Sequence, residues 1–114
     1  MPINTVNLTG RLGNDPDVRF FENNKVCAVF SLAVSRGKDQ PPDWFEIKAW
    51  GKSAEMLQNY FKKGKPIQVS GELNFESWND RITGERRRKP VIKLDSFSFV
   101  PNDKDAKQGG ASEF

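Results

Sequence analysis

Apolar and polar residues alternate over most of the first hundred positions, and each break in that alternation marks a boundary. Val6, Leu8, Gly10 and Leu12 interleave with Asn7, Thr9 and Arg11, the two-residue period of a strand with one greasy and one wet face. "GNDPD" at 13–17 ends it as a turn, a short extended piece "VRFF" follows, and Asn23-Asn24 makes a second turn. In "VCAVFSLAVS" the residues Ala28, Phe30, Leu32 and Val34 come into phase and predict a second strand. The loop "RGKDQPPD" carries two prolines, which a central strand does not tolerate. It leads into a third strand, "DWFEIKAWGK", whose Phe45, Ile47 and Ala49 share one side.

Between Gly51 and Gly64 the period lengthens towards that of a helix, with Ala54, Leu57 and Phe61 on one side and Met56 and Tyr60 adjoining. Ser53 is placed to cap its start, Glu55 lies in the first turn, Lys62 and Lys63 in the last, and Gly64 suits a left-handed stop. A fourth strand runs from Pro66, with Ile67, Val69, Gly71, Leu73 and Phe75 on one face and Gln68, Ser70, Glu72, Asn74 and Glu76 on the other. "NDRITGERRRK" reads as a hairpin loop. In the fifth strand, "PVIKLDSFSFV", Ile92 and Leu94 are out of phase with Phe97 and Phe99, and one extra residue near Asp95 and Ser96 reconciles them as a bulge. Strand, strand, strand, helix, strand, strand predicts an all-β chain with one short helix, folded as a five-stranded Greek-key barrel of the OB-fold type. The predicted domain is 1–101. Residues 102–114, "NDKDAKQGGASEF", lack apolar periodicity and are expected to be a disordered C-terminal tail.

All three tryptophans, Trp44, Trp50 and Trp78, fall on the polar phase of their strands. They could cover a second small core or a subunit interface, but their neighbours favour another use. Lys48 lies between the first two on the same face, and Arg81 with Arg86, Arg87, Arg88 and Lys89 follows Trp78. Flat rings interleaved with cations suit an unpaired nucleic acid strand, since every base has a π face to stack and every linkage a phosphate to neutralise. Arg11, on the polar phase of the first strand, and Arg36, at the mouth of the proline loop, are candidate backbone contacts. Such a site discriminates strandedness more than sequence, because neither kind of contact reads a base edge.

Composition changes this picture little. Across 114 residues, 29% charged, the net charge is +3 and the pI near 9.1, which favours a polyanionic partner without requiring one. Cys27 is the single cysteine, so an intrachain disulfide is excluded, and it reads as a small core residue in a reducing, cytoplasmic setting. The opening "MPINTVNLTG" resembles neither a secretory signal nor an organellar one, and no stretch has the ~18 apolar residues of a membrane span. Histidine is absent, which removes the commonest general base; no cofactor, metal or enzymatic activity is expected. The rival enzyme reading, a nuclease with a metal held by Asp15, Asp17 and Glu22, competes with the plainer role of aspartate in turns. Two binding functions also compete: an interaction module, such as a dimeric replication-restart accessory factor, and a single-stranded RNA binder.

With "NLTGRLGNDPDVRFF", "DWFEIKAWGKSAEMLQNYFKKG" and "GELNFESWNDRITGERR" in view, the chain resembles bacterial and cyanobacterial single-stranded DNA-binding proteins from Asn4 to about Val100. The resemblance implies a homotetramer of OB-folds that wraps and protects single-stranded DNA during replication, recombination and repair. Trp44, Trp50 and Trp78 match that family's base-stacking aromatic positions. Two departures stand out. The loop "RGKDQPPD" is short and lacks the further aromatic often found there. The family's acidic tip before a terminal phenylalanine is reduced here, after Ser112, to Glu113 and Phe114, the two residues through which the resemblance implies docking of replication and repair proteins.

Overall fold

The computed structural model of the chain describes residues 3–101. Its strands are β1 (Val6–Leu12), β2 (Asp17–Phe21), β3 (Lys25–Val34), β4 (Asp43–Trp50), β5 (Pro66–Asn79) and β6 (Arg86–Phe99), with helix α1 (Lys52–Tyr60) between β4 and β5. Five strands close a ring in the order β1, β5, β6, β4, β3 and back to β1. Within it β4 and β6 run parallel and the remaining pairs antiparallel. This is the predicted OB-fold. No helix among the described residues is long and apolar enough to cross a membrane.

The "VRFF" piece accounts for the sixth strand. Along one edge of β3, β1 pairs at Leu12↔Leu32 and Arg11↔Ala33, and β2 then takes over from Asp17↔Val29 to Phe21↔Lys25. β1 and β2 are thus one barrel position broken by a turn. The break is stitched to β3: Gly13 N–H donates to the Ser31 carbonyl at 2.7 Å, and Ser31 N–H donates to Asn14 Oδ1 at 2.9 Å. Asp15 Oδ1 accepts from Lys63 N–H at 2.8 Å, and Asp17 pairs with Arg19 at 3.1 Å. Asp15 thus ties the turn to the segment after α1, while Asp17 is paired within β2; no group of three or more residues that could hold a metal occurs among the described residues.

The inward phases meet as the alternation predicts. Leu12, Ala28, Phe30, Leu32, Ile47, Ala49, Ile67, Val69, Ile92 and Leu94 pack with Ala54, Leu57 and Phe61 from α1 and its C-cap. The β5–β6 register steps from Ser70↔Ser96 to Gly71↔Leu94, leaving Asp95 as the extra residue. The bulge therefore sits where the phase change demanded it.

Several local expectations are corrected. Gly51, not Ser53, is the N-cap of α1, without a side-chain capping bond. The helix stops at Tyr60, before Gly64, so Lys62 and Lys63 follow it instead of occupying its last turn; Phe61 is already extended. Lys65 Nζ donates to the Tyr60 carbonyl at 2.7 Å, supplying the positive charge at the helix end. Cys27 is buried as expected, at 3% exposure, and it lies on the outer phase of β3, opposite Arg19 of β2 and Trp50 of β4.

The hairpin of β5 and β6 is longer than predicted, because Arg86–Lys89 belong to β6 and not to a loop. Each strand has 14 residues, a reach of roughly 46 Å at the usual strand rise. β1 accompanies β5 only from Pro66 to Gly71. Past that point the far half of the hairpin has no β1 beside it; Glu76 and Lys89 still tie it to Lys48 and Glu46 of β4, and beyond them its end projects from the barrel. Phe75, assigned by its phase to the interior, is consequently 53% exposed.

Candidate nucleic-acid interface

β4 supplies the centre of the site. Its outward residues are Trp44, Glu46, Lys48 and Trp50, and the two indoles are 59% and 43% exposed. They lie six positions apart, about 20 Å along a strand, more than one base can span. Trp44 lies opposite Ala33, which in turn lies opposite Arg11, so the ring and the guanidinium stem share one face two strands apart. The Trp44 ring rests over Gly13, where a Cβ would collide with it. Trp50 leans on Phe21 with ring centroids 5.7 Å apart and planes tilted by 34°. Trp78, 44% exposed, stands on the outward phase of the projecting hairpin opposite Arg87.

The cations are less free than the sequence suggested. Lys48 is half-buried and donates to Glu76 Oε2, while Lys89 pairs with Glu46 at 3.1 Å. Between the two β4 tryptophans the surface is thus a lattice of compensated charge and not a bare cationic stripe. Arg36 faces Asp43 at 3.8 Å, and Arg11 donates to the Gly64 carbonyl at 2.9 Å. Arg87 pairs with Asp80 at 2.8 Å and with Glu85 at 3.7 Å. Exposed pairs of this kind contribute about 0–1 kcal/mol, so an arriving phosphate can compete for these cations. Arg81 lies at the exposed hairpin tip. Arg86 and Arg88 occupy the phase opposite to Trp78. Glu113 and Phe114 lie outside the described residues.

Asp80 organises that tip. Its Oδ1 accepts from Ile82 N–H at 2.8 Å and Thr83 N–H at 3.1 Å, and its Oδ2 from Arg87 Nε. The bond from Thr83, then those from Ile82 and Arg87, hold the carboxyl below the usual aspartate range. A carboxyl whose pKa is depressed by folding stabilises the tip above its unfolded value, and that contribution is lost as pH falls through the folded value. An NMR titration is expected to show the Ile82 and Thr83 amides moving together, with a midpoint below that of an ordinary aspartate. A midpoint at the ordinary value would mean that the carboxylate does not cap the turn in solution.

Comparison with known proteins agrees with this fold. The model of the single-strand binding protein family matches residues 3–100. The chain belongs to that family. It is 44% identical over 108 residues to "Single-stranded DNA-binding protein 1" of Synechocystis sp., covering 92% of this chain and 89% of the relative. A protein of the same description from Nostoc sp. is 45% identical over 115 residues, covering 100% and 96%. The single-stranded DNA-binding protein of Borreliella burgdorferi is 37% identical over 103 residues, covering 85% and 69%.

In this family member, the sequence pattern did not reveal Phe21 beside Trp50 or Phe75 on the hairpin. Nor did it reveal the acidic partners Glu46 and Glu76. Phe21 carried a usable signal: "VRFF" has one aromatic on each phase, so one ring had to face outward. The ion pairs join residues 28 and 43 positions apart, and no local pattern encodes that.

Proposed function

We propose that the chain binds single-stranded DNA with little sequence preference and protects it during replication, recombination and repair. The observation that carries this reading is the outward exposure of Trp44, Trp50 and Trp78 on strands of an OB-fold. Each indole offers a face to one base, worth about 1–3 kcal/mol. Arg11, Arg36, Lys48, Arg81, Arg86, Arg87 and Arg88 supply phosphate contacts, several by exchanging a carboxylate partner. The chain is a binding protein, as its family is, and not an enzyme. Residues 1–101 form the binding domain and 102–114 a tail whose Glu113 and Phe114 recruit replication and repair proteins. The working unit is a homotetramer in the cytoplasm, an assembly that sedimentation of the free protein tests against a dimer.

Titration of intrinsic fluorescence with oligo-dT, oligo-rU and a matched duplex tests the reading. Strong quenching by oligo-dT, with none by the duplex, is the expected result. The affinity should fall with salt at a log-log slope of about −0.7 per phosphate neutralised. Equal quenching by duplex, or a salt-independent affinity, would remove the proposal; tighter binding of oligo-rU would move it to RNA.

A further inference from the structure

The two faces of the projecting hairpin are differently charged. On the Trp78 face, Arg87 is held by Asp80 and Glu85, Lys89 by Glu46 and Lys48 by Glu76. The opposite face presents Leu73, Phe75 and Ser77 from β5 with Arg86, Arg88 and Pro90 from β6. Here the Arg88 guanidinium lies 4.3 Å from the centre of the Phe75 ring, and Arg86 donates to Ser77 Oγ at 2.9 Å. Neither arginine meets a carboxylate among the described residues. In the far half of the two strands, the cations without a carboxylate partner among the described residues, Arg86 and Arg88, therefore sit on the Phe75 face.

This face also leads somewhere. Towards the barrel, Leu73 and Pro90 line a mainly apolar groove of about 260 Å³ together with Ile92, Trp44, Phe45 and Glu46, whose carboxylate is paired with Lys89. An exposed ring under a guanidinium plane, two unneutralised cations and an apolar groove ending at a tryptophan make a continuous track. Its chemistry fits a single strand: bases against the rings and the groove, phosphates against Arg86 and Arg88.

We infer that the face of the hairpin opposite Trp78 is a second base-stacking site, in which Phe75 stacks a nucleobase and Arg86 and Arg88 bind the neighbouring phosphates of a single strand that passes on to Trp44. The inference rests on the proposed binding of single-stranded DNA and adds a position to it. Two sides of one hairpin would then engage the strand, so that it bends around the hairpin instead of lying along one face.

The test compares Phe75→Ala, Phe75→Trp and Arg88→Gln in the full chain with Trp44→Ala, using oligo-dT. Phe75→Ala is expected to weaken binding roughly 5- to 160-fold, with Phe75→Trp restoring it. Arg88→Gln should lower the salt slope by about 0.7. Oligo-dT carrying 5-iodouracil should photocrosslink to the peptide containing Phe75. If Trp44→Ala weakens binding while Phe75→Ala and Arg88→Gln leave affinity and slope unchanged and no crosslink forms to the peptide containing Phe75, this second site is overturned and the proposed function stands. If none of the variants changes an affinity for oligo-dT that is itself weak, the proposed function falls. A Phe75→Ala variant that loses affinity only through a smaller sedimenting mass would assign the face to contact between copies of the chain and overturn the inference.

Discussion

Alanine at Gly71 is expected to destabilise the protein by about 1–3 kcal/mol or more, the range for forcing extra atoms into a filled site. A Cβ there would be driven into the Lys93 carbonyl oxygen and would sit 3.0 Å from its carbonyl carbon and 3.1 Å from Ile92 Cγ2. The first obstacle is backbone, which cannot swing aside as a long side chain can. Gly71 also adjoins the bulge that leaves Asp95 unpaired. Bulges bend strands and add twist, so this point sets the angle at which the hairpin leaves the barrel. Prising β5 from β6 here should move the whole far half, including Trp78, and weaken oligo-dT binding as well. Urea denaturation of the variant, with Gln68→Ala on the exposed phase as control, measures the first effect, and fluorescence titration the second. An unchanged urea midpoint would show that the two strands are not held at this spacing in solution.

The same bulge explains why the barrel was readable from sequence and the site only partly so. A strand phase is a local property: Ile92 and Leu94 against Phe97 and Phe99 force an extra residue between them whatever the rest of the chain does. The outward phase of Trp44, Trp50 and Trp78 is equally local. Exposure, by contrast, depends on what else covers the strand. Phe75 and Ile67 share one phase, yet Ile67 is in the core and Phe75 is exposed because β1 ends at the level of Gly71. Cys27 shows the reverse, an outer-phase residue buried between Arg19 and Trp50. The cations posed the same problem in another form, since Lys48 and Lys89 meet their acids only after the barrel closes. Composition counted the positive charges but could not say which remained unneutralised.

Removing Trp44 and Trp78 together is expected to reduce affinity for oligo-dT by the sum of two stacking contributions, about 2–6 kcal/mol, with the melting temperature nearly unchanged. Neither ring belongs to the buried cluster, and substitutions on separate strands with no shared partner add. Trp50 should behave differently. It packs on Phe21 and stands beside the buried Cys27, whose thiol burial pushes above its usual pKa. Trp50→Ala therefore trades a base platform for a breach in the outer surface, and should lower affinity and stability together. It should also make Cys27 react faster with a thiol reagent. Measuring affinity, melting temperature and thiol reactivity on the same variants separates the two roles. Losses of affinity and melting temperature in equal proportion for all three tryptophans would mean that the rings serve the fold, and that bases are held elsewhere.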